Sequence, residues 1–116
     1  MLLTILKFLN LVTALITSAA GIVALIRPQQ LTRGKPVGPG GSFYVRLYAA
    51  RAIPFGIVAG LLPYFFQGPV VPIVLILAAV IQTSDIAIGI GVKIPRVILG
   101  ASVAALTHLL CALALL

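Results

Sequence analysis

The sequence predicts an all-α protein, a four-helix transmembrane bundle with antiparallel, up-and-down helix order. Three observations support this prediction: 62% of the 116 residues are hydrophobic, only 8% are charged, and the apolar residues form four long runs. A water-soluble domain carries about 25% charged residues, so this composition does not supply enough charge for a water-exposed surface. The length suits one domain, and we expect a single integral membrane domain over residues 1–116.

Each apolar run is long enough to form a membrane-spanning helix. A helix of about twenty residues crosses ~30 Å of hydrocarbon, and helices are required because lipid offers no partner to an unpaired backbone amide. The predicted spans are residues 3–26, 43–66, 70–92 and 97–116. Tight connections follow the second and third spans. We therefore expect the last three helices to be consecutive antiparallel neighbours.

Residues 27–42, RPQQLTRGKPVGPGGS, are polar and rich in proline and glycine, which predicts a loop outside the hydrocarbon. Arg27, Arg33 and Lys35 lie in this loop, and Lys93 and Arg96 flank the third connection. Because basic residues are retained on the cytoplasmic side, we expect both of these connections to be cytoplasmic and both termini to face outward or into a lumen. Cleavage of the first run as a signal peptide, at the SAAG of residues 18–21, is the alternative for that segment.

The net charge of +7 raises the question of nucleic acid as a partner. The basic residues lie at the ends of apolar runs and form no stripe with interleaved aromatic residues, so we expect no nucleic-acid binding. With one histidine and one cysteine, the chain lacks the ligands of a typical zinc site. No phosphate-binding loop is present either. We expect no metal and no cofactor.

A permanent charge inside the second span is the most informative feature. Arg51 lies in LYAARAIPFGIVAG, and Asp85, the only acidic residue of the chain, lies in the third span. Counted from residues 43 and 92, both lie roughly 10–12 Å deep on helices expected to be adjacent. A lone intramembrane charge is costly and a paired one much less so. We therefore predict an Arg51–Asp85 ion pair that faces the interior of the bundle.

Helical spacing adds further residues to this predicted interior site. Residues three or four apart share a helix face, and each span carries one such polar or aromatic stripe. The stripes contain Tyr44, Tyr48, Arg51 and Phe55 in the second span, Gln82, Asp85 and Gly89 in the third, Asn10, Thr13 and Thr17 in the first, and His108 in the fourth.

Small and unusual residues of the second span predict close packing. Pro54 has no N–H to donate to the carbonyl of Ala50, so we expect a kink there. Gly56 and Gly60 form a G-x-x-x-G motif, which allows close approach of another helix and is compatible with a homodimer. Arg46 lies on another face near the start of the span, where we expect it to extend towards the headgroups.

The motifs FYVRLYAARAIPFGIVAG and QTSDIAIG, followed by a histidine in the fourth span, resemble the family catalogued as domain of unknown function 4267. Its members are small four-helix membrane proteins similar to the DoxX-like group. The resemblance covers residues from about 13 to the end and implies a fold, a membrane location and a place in lipid or secondary metabolism. The family favours Arg followed directly by Asp in its second helix, whereas Arg51 is followed here by Ala52. This difference leaves Asp85 as the sole carboxylate.

The leading functional hypothesis is a site that binds an apolar small molecule or lipid by its polar end. If it performs chemistry, we expect a non-redox acid–base reaction such as isomerisation, cyclisation or epoxide opening. The predicted catalytic residues are Asp85, His108 and Arg51, and the predicted substrate-binding residues are Tyr48, Gln82, Phe55 and Thr17.

Two alternatives stand beside this hypothesis. In the first, the ion pair serves only to fix helix register, and the protein is a structural or assembly subunit without catalysis. Alternatively, Asp85 couples protons to transport, although an arginine partner would hold this carboxylate ionised.

Overall fold

The computed structural model describes residues 1–30 and 32–116 and contains four long α-helices. Helix α1 covers Leu2–Ile26, α2 covers Pro39–Phe65, α3 covers Val70–Val92 and α4 covers Pro95–Ala114, with a 3₁₀ turn at Pro28–Gln30. No strand occurs in the described part of the chain. All four α-helices are long and apolar enough to cross a membrane. The predicted all-α class with four membrane-spanning helices is therefore confirmed.

Proline and a left-handed residue set the helix ends. Helix α2 begins at Pro39 rather than at residue 43, and α4 begins at Pro95. Proline is well suited to the first helical turn because its missing N–H has no partner there in any case. Helix α3 ends at Val92, and the next residue, Lys93, has a left-handed φ of 57°. The amide of the next residue, Ile94, then donates to the carbonyl of Gly89 at 3.0 Å, which closes the turn before α4.

The outer surface of the helices is apolar. Large side chains on all four helices are more than half exposed, including Ile16 at 62%, Phe65 at 74%, Ile73 at 63% and Leu99 at 69%. Soluble monomers do not expose apolar surface on this scale. The composition and this surface together indicate that lipid covers the helices.

The chain divides into two compact units: residues 14–58, which we call the loop unit, and residues 1–13 with 59–116, which we call the hairpin unit. A single membrane domain over residues 1–116 remains a prediction.

In the loop unit, α1 and α2 approach each other at two glycines. A Cβ atom added to Gly56 would lie 2.6 Å from the carbonyl oxygen of Ala14 and would also overlap Ser18 Oγ. A Cβ added to Gly21 would lie 2.9 Å from Cγ1 of Ile53. Gly56 thus provides the close helix approach that the G-x-x-x-G motif predicted, and it does so within one chain. A homodimer remains an untested prediction.

In the hairpin unit, α3 and α4 pack along faces of small residues. Gly89 is buried, and a Cβ there would lie 3.1 Å from side-chain atoms of both Val97 and Ile98. Most of the remaining buried residues of these helices recur every three or four positions, as expected of one helical stripe. The buried residues are Val71, Pro72, Leu75, Ala78, Ala79 and Gln82 on α3 and Ala101, Ala104, His108, Cys111 and Ala112 on α4.

Candidate functional site

Hydroxyl groups on the membrane-spanning helices bond to their own backbone. Thr83 donates to the carbonyl of Ala79 at 2.8 Å, and Thr107 donates to that of Val103 at 2.8 Å. Ser84 does the same with Val80 at 3.1 Å. Because lipid provides no hydrogen-bond partner, such internal bonds let an exposed hydroxyl face hydrocarbon. These residues need no functional explanation, and the polar groups that remain are few.

A buried polar contact in the hairpin unit joins α1 to α4. Asn10 is 0% exposed and His108 is 2% exposed, and Nδ1 of His108 lies 2.7 Å from Oδ1 of Asn10. An amide oxygen can only accept a hydrogen bond, so the imidazole Nδ1 must carry the proton and donate it. The contact therefore fixes the tautomer and the orientation of the ring. We call Asn10, His108 and the Ala59 carbonyl the His108 network.

The other end of the Asn10 amide compensates for a proline in α2. Its Nδ2 donates to the carbonyl oxygen of Ala59 at 2.9 Å. In a regular helix that carbonyl would accept from the amide of residue 63, but residue 63 is Pro63 and has no N–H. Asn10 thus supplies the donor that the helix lacks. Every atom of the network that this argument uses has a partner, and no described buried side-chain nitrogen or oxygen lacks one.

The only carboxylate side chain lies on the packed face of α3. Asp85 is half-buried and follows the buried Gln82 by one turn, and Gly89 continues the same stripe. Both Gln82 and Asp85 have interaction partners. The prediction that these residues share one inward face of their helix agrees with their burial. We call Gln82 and Asp85 the Asp85 site.

Asp85 and His108 lie at different levels of the hairpin unit. Gly89 packs against Ile98. Because α3 and α4 are antiparallel, a residue n positions before Gly89 lies at the same height along the helix axis as a residue n positions after Ile98. On this count Asp85 lies level with about residue 102. His108 is then about six residues further along α4, or about 9 Å along the helix axis at 1.5 Å per residue. The two predicted proton carriers are therefore offset along the bundle rather than side by side.

Arg51 is exposed, which differs from the predicted inward orientation. Its Nε donates to the carbonyl oxygen of Leu47, four residues earlier on α2, at 3.3 Å. This contact draws the side chain back towards the start of the helix, as long basic side chains do when they extend to an interface. The Arg51–Asp85 ion pair remains a prediction that rests on the sequence.

The other predicted residues of the loop unit are Tyr48 and Phe55 on α2 and Thr17 on α1. Tyr48, Phe55 and Thr17 are each half-buried, which is compatible with the lining of a site. Tyr48 and Thr17 also have interaction partners.

Sequence reasoning missed two interhelical contacts. Ser18 Oγ donates to the carbonyl oxygen of Ile53 at 2.8 Å, one turn from the close approach at Gly56. The role of Asn10 towards Ala59 was missed as well, although Pro63 carried a signal. The reasoning that frees the carbonyl of Ala50 at Pro54 applies equally at Pro63, four residues after Ala59.

In the described part of the chain, no three histidine, cysteine, aspartate or glutamate side chains lie close enough to hold a metal ion. Cys111 is buried as a free thiol on the packed face of α4, where it acts as a small apolar filler.

Comparison with known proteins provides no relative. No family model, no curated protein and no solved structure matches this chain.

Proposed function

We propose that this small multi-pass membrane protein binds an apolar molecule by its polar end inside the bilayer, and that Asp85 contacts that polar end. One observation carries the proposal: the sole carboxylate side chain of the chain is half-buried on the packed face of a membrane-spanning helix. An ionisable group at such depth is costly and usually marks a ligand site or a proton path. A purely apolar residue would pack there at less cost.

The chemistry that this site supports is non-redox proton transfer. Asp85 would act as a base on the polar end of the bound molecule, in an isomerisation, a cyclisation or an epoxide opening. Gln82, one turn away, would orient that end by hydrogen bonds. The sequence also predicts Arg51, Tyr48, Phe55 and Thr17 as site residues; they lie in the loop unit, and their part in this site remains a prediction. We also propose that the chain is related to the four-helix family that it resembles and acts in lipid or secondary metabolism.

For His108 the geometry favours a positioning role. Nδ1 of its ring donates to Asn10. At 1.5 Å per residue, His108 lies about 9 Å from Asp85 along the helix axis. A single reacting centre would not contact both groups directly, because proton transfer requires hydrogen-bond distance or one intervening water. We propose that His108 orients Asn10 towards Ala59 and is not the second proton carrier.

A second candidate is a structural or assembly subunit. Two sets of interhelical hydrogen bonds favour this candidate. In the hairpin unit Asn10 bonds to Ala59 and His108, and in the loop unit Ser18 bonds to Ile53. Such contacts hold helices together without any substrate. Under this reading Asp85 would also serve helix packing alone.

Mass spectrometry of molecules that co-purify with the protein separates the two candidates. The wild type, Asp85→Asn and Ser84→Ala would be purified in the same detergent and analysed for bound apolar compounds. Ser84 is the matched control because it is the neighbouring residue and bonds only to its own helix in the contacts above. We expect a near-stoichiometric compound in the wild type and in Ser84→Ala, and at least a tenfold reduction in Asp85→Asn.

Thermal unfolding of the same samples shows whether a lost compound reflects a lost contact or a misfolded protein. If Asp85→Asn keeps the wild-type melting temperature and also keeps the compound, Asp85 does not hold a ligand. If Asp85→Asn fails to fold while Ser84→Ala folds, the structural candidate is favoured. Proton-driven flux in liposomes that disappears in Asp85→Asn would instead support the transport alternative.

A further inference from the structure

The loop unit, residues 14–58, carries positive charge that it cannot neutralise. It contains five basic residues and no aspartate or glutamate. The basic residues are Arg27, Arg33, Lys35, Arg46 and Arg51. No carboxylate side chain exists within this unit to pair with any of them, and the whole chain has a net charge of +7. Asp85, the only acidic side chain of the chain, can balance at most one of these five charges.

Two of these arginines border an exposed apolar strip on α2. At 100° per residue, Arg46 and Arg51 lie about 140° apart around the helix axis. They form the two edges of an arc on the helix surface. The residues inside this arc, Phe43, Leu47, Ala50 and Pro54, are all exposed. We call this surface the arginine-edged strip. Ala49 and Gly56 are buried and lie on the opposite side of α2. Gly56 is in close contact with α1.

Exposed aromatic residues near the start of α2 support a position of the strip near the headgroups. Phe43 and Tyr44 form an edge-to-face ring pair with centroids 5.5 Å apart, and both are exposed near the start of α2. Exposed aromatic residues of this kind mark the membrane interface. Arg46 and Arg51 follow within two turns, and the Nε contact with Leu47 turns Arg51 back towards that level.

We infer that the arginine-edged strip binds an anionic phospholipid, whose phosphate lies between Arg46 and Arg51 and whose acyl chain lies along the apolar residues between them. Guanidinium groups bind phosphate oxygens through paired hydrogen bonds. The apolar floor of the strip favours a lipid over a soluble anion because it would bury an acyl chain. The inference assigns Arg51 to this outer strip in place of the ion pair predicted with Asp85, and it does not require a ligand at Asp85.

Spin-label electron paramagnetic resonance tests this inference directly. The full chain would be reconstituted in phosphatidylcholine vesicles with a trace of spin-labelled phosphatidylglycerol or spin-labelled phosphatidylcholine, and the relative association constant of the two lipids measured. A basic residue at the surface favours anionic lipid by about fivefold. We expect phosphatidylglycerol to be preferred by the wild type. Arg46→Gln and Arg51→Gln should each lower this preference about fivefold, and the double variant should abolish most of it.

Charge-matched variants make the result specific. Lys7→Gln removes one positive charge outside the loop unit and should leave the preference within twofold of wild type. The pair Arg46→Lys and Arg51→Lys keeps the charge and should fold even if the neutral variants do not, while losing part of the preference because lysine cannot bind phosphate in paired fashion. Equal effects of Lys7→Gln and Arg51→Gln, or no preference in the wild type, would overturn the inference.

Discussion

Replacing Asn10 by leucine should destabilise the protein through two groups at once. The change keeps a similar volume but removes the donor to the Ala59 carbonyl and the acceptor for His108 Nδ1. Both groups would then be buried without a partner. Pro63 cannot restore the bond to Ala59, because proline has no N–H.

The expected magnitude follows from the burial of the two groups. A buried polar group that loses its partner costs about 1–3 kcal/mol, whereas interhelical hydrogen bonds in membrane proteins average about 0.6 kcal/mol and reach about 1.7 kcal/mol. Asn10 and His108 are 0% and 2% exposed, so water does not replace the lost contacts without a local opening. We expect Asn10→Leu to lower the free energy of unfolding by about 2–3 kcal/mol.

A double-mutant cycle with Pro63 tests the mechanism rather than the magnitude alone. Pro63→Ala restores an amide that can donate to the Ala59 carbonyl, so Asn10→Leu should cost about 1 kcal/mol less in that background. Unfolding would be measured by steric trapping in bicelles. Thr107→Val is the control, because its hydroxyl bonds to Val103 of the same helix, and it should change stability by less than about 0.5 kcal/mol. Equal costs of Asn10→Leu in both backgrounds would refute the compensation of Pro63 by Asn10.

Three further outcomes follow from the packing and the charge distribution. Gly56→Ala should lower the free energy of unfolding by about 2 kcal/mol or more, because the new methyl group meets oxygen atoms of α1. In the same unfolding assay Gly91→Ala should be neutral or slightly stabilising, because its methyl group enters open space. Gly89→Ala should cost less than Gly56→Ala, since the groups that it approaches include side-chain atoms of Val97 and Ile98 that can shift; a larger cost than at Gly56 would contradict this reading. In a Cys111→Ala background, Gly34→Cys should react with an impermeant maleimide only when the reagent is added to the cytoplasmic side; labelling from outside intact cells would reverse the proposed orientation.

Much of the fold could be predicted from the sequence because lipid imposes one simple rule. A long apolar run must be helical when no water is present to hydrogen-bond the backbone, and this rule predicted four helices. The start of α2 was placed later than it lies, because PGGS at residues 39–42 has loop-like composition while proline is equally compatible with a first helical turn.

The polar contacts were harder to predict, since spacing identifies a helix face but not its partner. The burial of Gln82 and Gly89 on α3 agrees with the inward stripe predicted there, and the burial of Asn10 and His108 agrees with the inward stripes predicted for α1 and α4. That Asn10 bonds to His108 could not be derived, because depth estimates for different helices carry errors of several residues. The orientation of Arg51 depended on a local contact with Leu47 that competes with any distant partner.

Infrared difference spectroscopy tests the proposed role of Asp85 most directly. Asp85 is the only aspartate or glutamate of the chain, so aspartate labelled with ¹³C at its side-chain carboxyl reports this group alone. The spectrum would be compared before extraction of the co-purified molecule, after extraction and after its return. We predict that the labelled carboxyl band shifts on extraction and recovers on rebinding. An identical band in all three samples would contradict a contact between Asp85 and the ligand.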